Sequence, residues 1–146
     1  MLYLDTSLVV ALVTREARTG LAQAWLQGQA TETAISDWVT VEVSSALSIK
    51  ERSRDMNEMD RARAERAFRR LSREVFEVLP VPRRAFATAA SFSARVELSL
   101  RASDALHLAI ASEHQAGLFT LDVRQAEAGR RLGLESVLLF ADDGAS

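Results

Sequence analysis

The chain has 146 residues, 48% of them hydrophobic and 26% charged, a balance that predicts one packed domain over residues 1–146 and excludes a disordered chain. It holds no cysteine, which excludes a disulfide scaffold, a thiolate zinc site and a cysteine nucleophile. The formal net charge of −2 gives no global basic field toward nucleic acid. Every basic residue except Lys50 is an arginine, whose planar fork suits phosphate, though GC-rich coding explains that usage more simply.

In chain order, Leu2–Leu4 reads as a short strand. Asp5 interrupts the apolar run and no basic segment precedes it, so no signal peptide is expected. No stretch approaches the roughly 18 apolar residues of a membrane span, and the expected compartment is the cytoplasm. Ser7–Val13 and Leu21–Gln29 read as helices, Thr33–Ser36 as a second strand, and Val39–Arg52 and Glu58–Glu74 as helices. Phe76–Leu79 is a third strand, stopped by Pro80 and Pro82. Arg83–Glu97 and Asp104–Gln115 are Ala-rich helices. Leu118–Leu121 and Val137–Phe140 are strands flanking a helix near Arg124–Leu132 that ends at Gly133. Five short strands alternating with helices predict an α/β fold, a parallel sheet covered on both faces. In such sheets ligands sit beyond the carboxyl ends of the strands, where strand order reverses.

Four acids stand out. Asp5 and Asp122 each follow a strand and precede a helix, and each reads either as an N-cap or as a ligand at the sheet edge. Glu42 lies about 60° from Val39 on a helical wheel, inside the arc of Val39, Val43, Ala46, Leu47 and Ile49, where a carboxylate is costly unless paired, protonated or metal-bound. Asp104 opens a helix that is apolar nearly all round; Ser103 or Asp104 reads as its cap, a role compatible with metal binding. Two carboxylates about 5 Å apart repel by roughly 3 kcal/mol at an effective dielectric near 20, so convergence of the four would call for protonation or for Mg²⁺ or Mn²⁺. Such ions activate phosphodiesters toward water without a catalytic His or Cys.

Between Glu51 and Glu74 eight arginines face six acids. The simplest reading is a solvated, ion-paired face, with Glu65 and Arg69 in the favourable i,i+4 order. The functional reading has Arg66, Arg70 and Arg73 touching an RNA backbone.

With Leu2-Tyr3-Leu4-Asp5-Thr6-Ser7, Val41-Glu42-Val43 with Ala46-Leu47, Ser103-Asp104-Ala105-Leu106-His107-Leu108-Ala109, and Thr120-Leu121-Asp122 with Arg124, in that order, the chain resembles the PIN-domain ribonucleases, in particular the VapC-type toxins of bacterial toxin–antitoxin pairs. The resemblance covers nearly the whole chain. It implies a Rossmann-like three-layer fold of about five parallel strands, and an Mg²⁺- or Mn²⁺-dependent endoribonuclease with Asp5, Glu42, Asp104 and Asp122 at the metal. It further implies Thr6, Ser7 and Thr120 as supporting hydroxyls, Arg124 as an RNA contact, an antitoxin partner and a homodimer or toxin–antitoxin hetero-oligomer. His107, one helical turn below Asp104, reads as a packing or supporting residue and not as a general base. Two alternatives stay open: a PIN-like domain that binds RNA or a partner without cutting, and a DNA-directed nuclease. No P-loop, dinucleotide-binding Gly-x-Gly-x-x-Gly or Gly-x-Ser-x-Gly motif is present.

Overall fold

The structure, a computed structural model, describes residues 1–140. Its elements run β1 (Leu2–Leu4), α1 (Thr6–Val13), α2 (Thr19–Gln27), β2 (Thr33–Ser36), α3 (Asp37–Arg52), α4 (Glu58–Glu74), β3 (Phe76–Leu79), α5 (Arg83–Ser93), α6 (Ala102–Glu113), β4 (Gly117–Thr120), α7 (Val123–Arg131) and β5 (Ser136–Leu138). The five strands form one parallel sheet in the order β3-β2-β1-β4-β5. Strand order therefore reverses between β1 and β4, where Leu2, Tyr3 and Leu4 pair with Gly117, Leu118 and Phe119. Helices α1 to α4 pack on one another, as do α5 to α7, and α1 and α6 both pack on β4. This is the expected three-layer α/β arrangement.

Local chemistry explains the boundaries. Leu79 ends β3 before Pro80, and Pro82 sits at the N-cap of α5. Asn57 caps α4 by accepting from the Asp60 amide. Gly133, at φ +76°, stops α7 as expected, because a left-handed turn there suits a residue without a Cβ. Helix α5 is shorter than its sequence suggests. It stops at Ser93, Arg95 turns extended, and Val96–Leu98 forms a 3₁₀ turn closed by Ser99 at φ 49°. Helix α6 starts two residues earlier than expected, at Ala102. Strand β5 is displaced toward the N-terminus, to Ser136–Leu138, and Phe140 at φ 54° leaves the extended region. The expected Glu65–Arg69 pair does not form: Glu65 pairs with Arg61 at 2.9 Å, and Arg61 also reaches Glu51 at 2.7 Å, so this arginine ties α4 to α3.

The core lies on both sides of β1 and β4. Tyr3, Leu4, Ile35 and Leu118 are fully buried, and α6 is buried continuously from Ala105 to Ala111, which makes it the central helix that its all-round apolar character predicts. No helix among the described residues is long and apolar enough to cross a membrane.

Candidate active site

Asp5 is the first residue after β1, and Asp122 follows β4 by two positions, so the strand-order reversal sets both at one edge of the sheet. Both are also N-caps. Asp5 accepts from the Leu8 amide at 3.1 Å, and Asp122 accepts from the amides of Arg124 and Gln125 at 2.8 and 3.1 Å. Capping fixes each carboxylate at the start of a helix, whose dipole favours negative charge there.

Hydroxyls surround Asp5. Ser7 Oγ lies 2.7 and 2.9 Å from its two oxygens, and Thr120 Oγ1 donates to Oδ2 at 2.7 Å. Ser7 Oγ in turn accepts from the Leu121 amide, and Thr120 Oγ1 from the Asp122 amide, at 3.0 and 2.9 Å. The hydroxyls of α1 and β4 thus bind the two acidic loops together. Asp5 nevertheless has a raised pKa: burial dominates, and the charge of His107 with the donors Thr120, Ser7 and Leu8 offsets it only in part.

Asp104 sits in the first turn of α6, but it is not the cap. The N-cap position falls on Arg101, and the Asp104 carboxylate accepts no hydrogen bond among the described residues. The early start of α6 moves Asp104 inside the helix and turns it into a cleft of about 440 Å³, lined also by Ser99, Arg101, Asp122 and Arg124. Its pKa is raised by burial first and by the neighbouring Asp122 second, with Asp5 adding to the effect and His107 and Arg101 opposing it. Two acids thus share a cleft with a third buried nearby, and their mutual repulsion is incompletely compensated by the protein's own cations. A hard divalent cation is the ligand that such a donor set suits.

Glu42 differs from the other three. The buried arc of α3 is Val39, Val43 and Leu47, while Ile49 is exposed, so Glu42 lies at the rim of the apolar face. Its Oε2 accepts from Thr6 Oγ1 at 2.5 Å and pairs with His107 Nε2 at 2.5 Å, and its Oε1 accepts from Ser103 Oγ. Burial works against the charged form. The hydrogen bond and charge of His107, with Ser103 and Thr6, overcome it and lower the pKa to about 2. Of the ways to satisfy an inward carboxylate, the structure shows pairing, with His107 as the partner. As the side chains stand, no group of three or more acidic and imidazole side chains among the described residues is gathered closely enough to hold an ion.

The remaining expected residues divide. Arg124 lines the carboxylate cleft, whereas Arg66 and Arg73 stand exposed on α4, and Arg70 lines a different groove, between α2 and α4. His107 is 2% exposed and supports Glu42 from within the core. Four contributors are not among the candidates the sequence offers: Arg101 in the cleft, Tyr3 and Trp38 behind Glu42, and Gln125. Gln125, 1% exposed, meets Thr120 Oγ1 through Oε1 at 3.0 Å and donates through Nε2 to the Asp104 carbonyl at 3.4 Å. Its spacing three residues after Asp122 matches a capping-box pattern, which is the one local signal for it.

The geometry agrees with the comparisons. The chain is similar to VapC20 of Mycobacterium tuberculosis, a sarcin–ricin-loop-cleaving toxin, at 22% identity over 88% of this chain and 95% of that one, with a TM-score of 0.70. It is also similar to FitAcB from Neisseria gonorrhoeae (19% identity, 89% and 94% covered, TM-score 0.65) and to a toxin–antitoxin complex from Klebsiella pneumoniae (19%, 86% and 89%, 0.60). These likenesses establish a shared fold. No curated protein sequence matches the chain significantly. Residues 2–131 match the family model of the PIN domain, a span that carries all four acids, and the chain belongs to that family.

Proposed function

We propose that this chain is a Mg²⁺- or Mn²⁺-dependent endoribonuclease of the toxin type, held inactive by a cognate antitoxin. One observation carries the reading: Asp104 and Asp122 face a single open cleft at the point where strand order reverses, with Asp5 buried nearby and too little positive charge to balance them. The toxin–antitoxin complex from Klebsiella pneumoniae among the structural neighbours supports an antitoxin partner. A homodimer or toxin–antitoxin hetero-oligomer accompanies it in this reading.

Asp5, Glu42, Asp104 and Asp122 are the acids that would hold the cation. The two Asp side chains of the cleft and Asp5 are only partly compensated by neighbouring positive charge, while Glu42, already carrying three donors, adds its charge from the rim. When bound, the ion supplies electrophilic activation of the phosphodiester and a readily deprotonated water. Ser7 and Thr120 hold Asp5 in one orientation, and Thr6 does the same for Glu42. Arg124 and Arg101 flank the carboxylates and have no ion-pair partner among the described residues, so they are free to bind the non-bridging oxygens of the phosphate. A second groove, of about 530 Å³ beside Thr6 and Ser7, shares Leu121 with the carboxylate cleft and extends the path for a single strand. Arg66, Arg70 and Arg73 would meet RNA only outside that path.

The test is cleavage of a mixed RNA and of a matched DNA by pure protein in Mg²⁺ or Mn²⁺, with and without EDTA, beside Asp104→Asn. RNA cleavage that needs both metal and Asp104 supports the reading; metal-independent cleavage, or full activity of Asp104→Asn, overturns it. A second reading, a PIN domain that binds without cutting, is favoured by the full engagement of Glu42 and the spacing of the acids. Failure to bind Mn²⁺ in a titration would select it.

A further inference from the structure

Glu42 is reached from behind by two chains of side chains, one buried and one half-buried. The first begins on the sheet. Tyr3, fully buried on β1, hydrogen-bonds through its hydroxyl to Ser36 Oγ at 2.8 Å and to His107 Nδ1 at 2.9 Å. His107 Nε2 then meets Glu42 Oε2. The second begins on α3, where Trp38 Nε1 donates to Ser103 Oγ at 3.4 Å and Ser103 donates to Glu42 Oε1. A nitrogen facing a carboxylate oxygen carries its proton, so Nε2 donates, and in the uncharged form of the ring Nδ1 accepts from the Tyr3 hydroxyl. Tyr3 can then accept from Ser36, which leaves every polar atom of this chain partnered.

A phenylalanine would fill the same space at position 3 without touching His107. What the tyrosine adds is a hydroxyl, buried with two partners, that fixes the tautomer and ring angle of His107. Orientation of a site carboxylate through a neighbouring hydrogen-bond partner is a common means of tuning a metal centre. We propose that Tyr3 is a positioning residue of the nuclease centre, acting through His107 to hold the Glu42 carboxylate in a single orientation. This rests on the nuclease reading above. It gives a core residue of β1 a part in catalysis although it touches neither substrate nor ion.

The experiment compares wild type with Tyr3→Phe, His107→Gln and His107→Asn. Gln can keep the donor toward Glu42, and Asn cannot. RNA cleavage is resolved into kcat and KM, Mn²⁺ binding is read by quenching of Trp38 in a Trp25→Phe background, and all assays run well below each variant's melting midpoint. Tyr3→Phe is expected to lower kcat or weaken Mn²⁺ binding by about 10-fold with KM for RNA unchanged. His107→Gln is expected to retain more activity than His107→Asn. In metal-free protein, ring ¹⁵N spectra of His107, with His114 replaced by Gln, should give the Nε2–H tautomer and a changed Nδ1 signal in Tyr3→Phe. If wild type cleaves RNA and binds Mn²⁺ but Tyr3→Phe matches it in both, the positioning role is overturned. Equal losses in His107→Gln and His107→Asn overturn it as well, and this arm stands even if Tyr3→Phe fails to fold. A wild type that neither cleaves RNA nor binds Mn²⁺ overturns the nuclease reading instead, while the ring spectra still judge the Tyr3–His107 link.

Discussion

Ser103 and Glu42, 61 residues apart, are joined by a hydrogen bond from the Ser103 hydroxyl to Glu42 Oε1. The bond links the first turn of α6, which carries Asp104, to α3. One acid of the site is therefore anchored by the residue next to another, and the two cannot move independently. Replacing Ser103 with Ala should leave the start of α6 intact, because Ser103 does not cap it. Glu42 would lose one of three donors. We expect RNA cleavage to fall several-fold and stability to fall by about 1.5–3 kcal/mol, the worth of one hydrogen bond to a charged group. Loss of folding in Ser103→Ala would contradict this division of roles.

The acids make opposite contributions to stability as pH changes. Asp5 and Asp104 have folded-state pKa values above those of the unfolded chain. Their contribution is fully present below the ordinary Asp range and is lost as pH rises through their folded values. Glu42, lowered to about 2, contributes stability above the ordinary Glu range that is lost as pH falls toward 2. Its share is about 1–2 kcal/mol after screening at the half-buried rim. Melting in EDTA should show Glu42→Gln losing its deficit below about pH 4, the unfolded range. Asp104→Asn should be at least as stable as wild type at pH 7. A large destabilisation by Asp104→Asn at pH 7 would mean that the charge is compensated after all.

A divalent cation should reverse that balance. At about 100 times its Kd, Mn²⁺ is expected to stabilise wild type by about 2.7 kcal/mol, and Asp5→Asn or Asp104→Asn by much less. Equal stabilisation of wild type and both variants would place the ion elsewhere.

The arginines should separate by position. Arg124→Ala is expected to lower kcat/KM for RNA by about 10-fold, the loss of one charge-assisted phosphate contact. Arg70→Glu, outside the carboxylate cleft, should leave kcat unchanged. If α4 does meet RNA, the Arg70 substitution lowers the salt slope of binding by about 1. An unchanged slope removes α4 from the interface.

At Gly129 helix α7 packs closely on β5. A Cβ there would lie 2.5 Å from Ser136 Cβ and 2.8 Å from Leu108 Cδ2. Gly129→Ala should therefore destabilise by about 1–3 kcal/mol, as overpacking does, despite alanine's better helix propensity. Thermal denaturation would reveal it, and a stabilised variant would contradict the contact.

The sequence by itself determined most of the elements, since strand runs, the prolines after β3, Asn57 before α4 and Gly133 after α7 act through neighbours a few residues away. It also determined that Asp5 and Asp122 follow strands, and strand ends are where a parallel sheet offers a ligand site. What it could not decide is how each acid is satisfied. Asp5 and Asp122, open to either role by sequence, prove to be caps, whereas Asp104, read with Ser103 as a candidate cap, is left without a donor in the cleft. Glu42 reads as an inward acid that must be paired, protonated or metal-bound, and only the structure shows Thr6, Ser103 and His107 holding it. Tyr3 is indistinguishable from any apolar residue of a buried strand until His107, 104 residues away, is brought to its hydroxyl. Capping and periodicity are local and leave a trace in the order of residues. The charge state and orientation of a carboxylate depend on burial and on donors that only the packing of β1, α3 and α6 brings together.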